Sequence, residues 1–147
     1  MQEYEKFAFV LRSALEKNQV KLSKKIKYEF EPLWAIRAVE RKDSDCNIVS
    51  EKDFYSQEEK KYYRMKLPRG VKYEFSHEPG NYSCSFFKSK DELANALHLP
   101  KIGWKLATGN LIKTYGAIQH RETKPHIHLF RYDNAVPEFQ IIEFDEL

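Results

Sequence analysis

The feature that most constrains the fold is a set of period-two segments separated by only a few turn residues. The clearest is Lys124-Pro125-His126-Ile127-His128-Leu129-Phe130-Arg131-Tyr132. Side chains alternate along a strand, so His126, His128, Phe130 and Tyr132 share one face, and Ile127 and Leu129 point the other way, into a core. The C-terminal third repeats the pattern at residues 104–107, 111–119, 126–132 and 138–144, with turns at Thr108-Gly109-Asn110 and Asp133-Asn134. Connections this short cannot hold a crossover helix, so they predict antiparallel pairing and a C-terminal meander.

Helical spacing occurs elsewhere. Tyr4, Phe7, Ala8, Leu11, Ala14 and Leu15 form an apolar stripe that predicts a helix over about residues 3–17, with Asn18 as its stop. Ser56 with Glu59, and Ser89 with Glu92, have capping-box spacing. They start one helix running to about residue 65, before Pro68, and a shorter one ending before Pro100 that buries Leu93, Ala94, Ala96 and Leu97. Val20, Leu22, Ile26, Tyr28 and Phe30 alternate with polar residues and predict a half-buried strand ended by Pro32. Val71, Tyr73 and Phe75 alternate again, and Pro79-Gly80-Asn81 turns into a strand over residues 82–88. Residues 33–39 are an apolar run suited to a central strand, interrupted by Arg37. A charge there requires either an edge position or a partner. The expected fold class is α+β: a single domain over residues 1–147, its mainly antiparallel sheet carrying an N-terminal helix and two short helices on one face.

Composition narrows the functional classes. With 41% hydrophobic and 32% charged residues over 147 positions, the chain can build a core without metal or disulfide staples. It has no apolar run near the roughly 20 residues that span a bilayer, and its N-terminus lacks signal-peptide features. Cys46 and Cys84 lie far apart without a CxxC pair, which suits free thiols in a cytoplasmic protein. Acidic neighbours at Cys46 and apolar ones at Cys84 disfavour the thiolate, which argues against cysteine catalysis.

A net charge of +3 does not demand a polyanionic partner. Its distribution is uneven: Lys60, Lys61, Arg64, Lys66, Arg69 and Lys72 occur without an intervening acid and interleave with Tyr62, Tyr63 and Tyr73. This mixture suits single-stranded nucleic acid. The plainer expectation is a helix whose tyrosines face the core. Lys21, Lys24, Lys25 and Lys27 read as a solvated strand face.

The histidine face carries the chemistry. A four-residue loop at 121–124 would put Ile118 opposite Ile127 and Gly116 opposite Leu129, with Tyr115, Ala117 and Gln119 beside Phe130, His128 and His126. A one-residue slip would mix Ile118 with the imidazoles and is disfavoured. The simplest role for the histidines is that of semi-exposed strand residues. As metal ligands they would need His120, His77 or a carboxylate as a third, and the carboxylate that often follows HxH closely is missing; no metal or other cofactor is expected. Imidazoles also titrate near neutrality and serve acid–base chemistry.

The functional expectation is a nucleic-acid- or nucleotide-directed protein, in its sharpest form a small His-dependent ribonuclease of toxin type. There His126 and His128 are base and acid, Arg37 or Lys124 stabilises the phosphate, and Tyr115 and Tyr132 stack bases. Gln119 and Ser83 complete the substrate contacts. Its partner is RNA or a nucleotide, with no membrane. Against this stands a non-catalytic module whose aromatic–histidine face docks a partner protein.

Arg37 in Leu33-Trp34-Ala35-Ile36-Arg37, Ser83-Cys84-Ser85, and the late acidic residues Glu138 and Glu143 occur in an order that resembles the Arg–Ser–Glu arrangement of ADP-ribosyltransferases. The resemblance implies an NAD-using enzyme in which Arg37 holds a phosphate, Ser83 shapes the pocket and Glu143 activates the nicotinamide ribose. The family's Ser-Thr-Ser and its Glu-x-Glu or Gln-x-Glu are absent, since Gln140 precedes Glu143 at a different interval. There is no Walker loop, GxSxG elbow, HExxH or GxGxxG.

Overall fold

Capping chemistry sets where the helices begin. In a computed structural model that describes residues 3–41, 47–65, 67, 69–120 and 124–147, the Ser56 hydroxyl accepts from Glu59 N–H, and the Glu59 carboxylate accepts from Ser56 N–H. This reciprocal cap opens α2 (Gln57–Arg64), and Ser89 opens α3 (Lys90–Leu97) by accepting from Glu92 N–H. Of the four residues expected to form the buried side of α3, Leu93 alone is buried. The expected N-terminal helix divides into a 3-10 turn, Glu3–Lys6, and α1 (Phe9–Glu16). Between them Phe7 bridges to Tyr132, and Ala8 N–H donates to the Arg131 carbonyl, so the sheet captures the backbone there. Asn18 stops the helix in the left-handed region, at φ 56°.

Among the described residues, six strands form one open antiparallel sheet: β1 (Leu33–Glu40), β2 (Cys84–Phe87), β3 (Trp104–Leu111), β4 (Gly116–His120), β5 (His126–Arg131) and β6 (Gln140–Ile142). Their order is β4-β5-β2-β1-β3-β6, a single-domain α+β arrangement. The expected meander is realised only in the β4–β5 hairpin, because β3 pairs with β1 and β6 rather than with β4.

Four other expectations are corrected. Thr108-Gly109-Asn110 is no turn but the continuation of β3, opposite Trp34–Ile36. Gly109 is required for a different reason: a Cβ there would lie 2.6 Å from the Phe139 ring, which packs against it. Residues 20–30 form no strand. The Ser23 hydroxyl accepts from Lys25 N–H and the Ser23 carbonyl from Ile26 N–H, a tight turn that leaves a lone bridge between Lys27 and Ile118. Residues 71–75 are also irregular, and the strand expected over 82–88 begins at Cys84, after the 3-10 turn Pro79–Tyr82.

Register assigns the two faces. Ile36 pairs with Phe87 and Phe87 with His126, so these three share a face, and Arg37 lies on the other. On Arg37's face, Phe54 and Phe139 cover Ala35, Phe86, Ile127 and Leu129. Each of the Phe, Ile and Leu side chains among them, taken fully out of water, contributes about 1.5–3 kcal/mol. On the histidine face there are two separate covers. α1 packs on Ala117 and Phe130, whereas Leu93 of α3 packs with Ile36 and Phe87. α2 lies where β5 ends, its Glu59 paired with Arg131, so the helices do not all lie on one face.

Candidate functional site

The gap between the two helical covers holds the imidazoles. His126 pairs with Phe87 across to β2, and His128 stands between Ser85 and Gln119. All share the face that α1 and α3 leave partly open. The two imidazole rings lie 6.0 Å apart between centroids and within 19° of parallel, both half-buried. His126 rests on the Phe87 ring at 4.6 Å. Around them lies a hollow of about 260 Å³ lined by Gly80, Gln119, Lys124, His126, His128 and Phe130.

One hydrogen bond orients the site. Ser83 Oγ lies 2.9 Å from His128 Nδ1 and donates to the Gly80 carbonyl, also at 2.9 Å. A serine hydroxyl has a single hydrogen. With it committed to Gly80, Oγ accepts from His128 Nδ1–H, which places the basic lone pair on Nε2. This tautomer follows from the network rather than from a visible hydrogen. The contribution of Gly80 is not readable from spacing, although Pro79-Gly80-Asn81 marks the turn that delivers it.

The hairpin register differs from expectation by two residues: Ile118 faces Leu129, Gln119 faces His128 and Ala117 faces Phe130. A two-residue shift keeps the side chains of the paired residues 117–119 on their expected faces. The connection between the paired ends is therefore longer than four residues, and its positions 121–123 lie outside the described residues, as does Cys46.

Of the expected site residues, the hollow gathers His126, His128, Gln119 and Lys124, with Ser83 directly behind His128. Three others are elsewhere. Arg37 lies on the opposite sheet face, beside the Phe86 ring, donating to the carbonyls of Asp53 at 2.8 Å and Ser85 at 2.7 Å. Those bonds satisfy the charge in the central strand β1. Tyr115 precedes β4 and packs into the core on Arg37's side, its hydroxyl accepting from Glu138 N–H. Tyr132 is on the histidine face, but its ring packs on Phe7 at 5.6 Å, within the α1 cluster.

The residues behind the ADP-ribosyltransferase resemblance do not converge, because Arg37 and Ser83 serve opposite faces and Glu143 pairs with Lys105 at 3.2 Å. Among the described residues no group of three His, Cys, Asp or Glu is placed to hold a metal ion. His77 bonds the Gln19 carbonyl, and His120 pairs with Ile127 on the face away from the other histidines. Burial pushes the Cys84 thiol up, away from a reactive thiolate.

A buried ion cluster lies at the end of β5. The Arg131 guanidinium is bonded to Glu59 and, at 2.6 Å, to Glu51. Desolvation works against its charge, but the two carboxylates more than compensate and raise its pKa. No described helix is long and apolar enough to cross a membrane.

Fold and site thus define an open-sheet α+β domain with a paired-imidazole hollow. Compared with known protein families, curated proteins and solved structures, the chain matches none of them.

Proposed function

We propose that the hollow acts on a phosphate-bearing ligand, and that its sharpest substrate is the phosphodiester of RNA. The observation that carries this reading is the pair of parallel imidazoles opening, with Lys124 and Gln119, onto one hollow. A neutral imidazole takes the proton of the 2′-hydroxyl, an imidazolium protonates the leaving 5′-oxygen, and an ammonium offsets the charge developing on phosphorus. In this reading His128 is the base, acting through Nε2, and His126 the acid; the Ser83 bond to His128 Nδ1 supports that choice. This reverses the order expected from the sequence. Lys124 takes the stabilising role, because Arg37 lies behind the sheet.

The test is cleavage of an end-labelled single-stranded RNA. The intact protein is expected to yield a 2′,3′-cyclic phosphate and a 5′-hydroxyl, and His126→Ala and His128→Ala each to lower the rate on the order of a hundredfold or more. A substrate lacking the 2′-hydroxyl should survive. RNA left whole by the wild type, or cut equally fast by both variants, would end this reading.

A further inference from the structure

A second depression is much larger than the histidine hollow. It runs between α1, α2 and the coil leading to the 3-10 turn Pro79–Tyr82, and its volume is about 1360 Å³. That exceeds the roughly 300–1,000 Å³ of a small-molecule pocket, which favours an extended occupant. Asn81 lines this groove and its neighbour Gly80 lines the hollow, so the two depressions share one turn as a common wall.

The groove combines rings with cations. Phe9, Tyr63 and Met65 are 42%, 53% and 43% exposed, and all three line it. Tyr63 stacks on Tyr55 at 5.3 Å and meets Tyr62 edge-on at 5.2 Å, so its ring is held in place while half of it faces solvent. Lys17 and Lys61 sit over the rings of Phe75 and Tyr73 at 5.1 and 5.6 Å, and Lys72 joins them in the lining. Glu58, the deeper of the two lining acids, is buried and accepts from the Tyr73 hydroxyl and Ser76 N–H, which leaves Glu74 as the other. Of the two α2 tyrosines, Tyr62 is half-buried against the α1 core cluster, as the plainer sequence expectation had it, whereas Tyr63 is left exposed. Clustered rings and ammonium groups left in solvent match a ligand with planar apolar faces and spaced negative charges.

We infer that this groove binds single-stranded RNA, with bases stacked on Tyr63 and Phe9 and phosphates against Lys17, Lys61 and Lys72, and that the shared wall at Gly80–Asn81 leads the strand to the histidine hollow. The last clause rests on the reading of that hollow given above; binding in the groove does not.

The experiment is fluorescence anisotropy of a labelled oligouridine of about a dozen nucleotides, titrated with full-length protein carrying His126→Ala and His128→Ala so that the probe stays whole. Affinity should fall steeply with salt, and adding Lys61→Gln and Lys72→Gln should flatten that dependence. Tyr63→Ala should weaken binding about fivefold to a hundredfold, the loss of one stacked base, whereas Tyr63→Phe should bind as before. No binding at low salt would overturn the inference and leave the groove to a peptide ligand. It would equally be overturned by Tyr63→Ala binding normally, or by duplex RNA binding as tightly. Binding that obeys these variants without cleavage by the wild type keeps the groove and removes the reading of the hollow. Cleavage with binding indifferent to the groove variants does the opposite.

Discussion

Ser83→Ala isolates the bond that orients the site. The substitution removes the hydroxyl's donation to Gly80 and its acceptance from His128, both 2.9 Å long and at a residue only 6% exposed. At about 0.5–1.5 kcal/mol each, the two bonds together are worth about 1–3 kcal/mol of stability. In a domain of this size that lowers Tm by about 2–12 °C. The more telling effect is on the imidazole. A bond of about 1 kcal/mol that favours Nδ1–H biases the neutral tautomers roughly fivefold, since RT is about 0.59 kcal/mol. Long-range proton–nitrogen NMR of histidine-labelled protein reads that ratio. The wild type should show His128 with Nε2 unprotonated, and Ser83→Ala should relax toward a mixture while leaving His126 unchanged. A wild-type His128 protonated on Nε2, or a ratio indifferent to the substitution, would refute the proposed orientation.

Glu59→Gln keeps an acceptor for the α2 cap but deprives the Arg131 charge of its most buried partner, so a loss of about 3–5 kcal/mol in denaturant unfolding is expected. Unfolding at wild-type denaturant concentration would show that the cluster contributes nothing. Asp53 gives a pH dependence. Burial works to raise its carboxyl pKa, but the two-bond pairing with Arg41 and the Ser50 N–H overcome it and hold the group below 3.8. Because the folded value is depressed, the stabilisation is complete above the unfolded value and disappears as pH falls through the folded one. The wild-type advantage over Asp53→Asn, about 1.5–3 kcal/mol, should thus hold at pH 6 and shrink below about pH 4. An advantage unchanged down to pH 2 would contradict this. Gly116→Ala should cost more than Gly109→Ala. At 116 a Cβ would lie 2.3 Å from the Phe130 carbonyl oxygen, a backbone atom of the paired strand, whereas at 109 it meets the Phe139 side chain, whose repacking costs about 1–3 kcal/mol. Equal melting temperatures would count against that reasoning.

What the residues alone determined was local. Ser56 with Glu59 and Ser89 with Glu92 began helices because a side chain three residues away satisfies N–H groups that the helix cannot. The alternation at 126–131 set the face of His126 and His128, because the pleat is a property of the strand itself. The same period of two makes their partners ambiguous: shifts by two residues bury the same strand side chains, so the alternation fixes the faces of the paired residues but not the length of the hairpin connection.

Tertiary structure decided everything that joins distant segments. Strand order placed β2 between β5 and β1, which brought Ser83 to His128 and set Arg37 behind the sheet. Gly109 looked like a turn because its constraint, the Phe139 ring, comes from a segment whose packing no local pattern records. The hollow lies on the face that α1 and α3 cover in separate clusters, and its lining joins the turn at Gly80 to residues of β4 and β5. Such a gap depends on how helices pack in space, and helix packing is a sum of weak, non-directional contacts that hydrophobic periodicity demands without saying where they will fall.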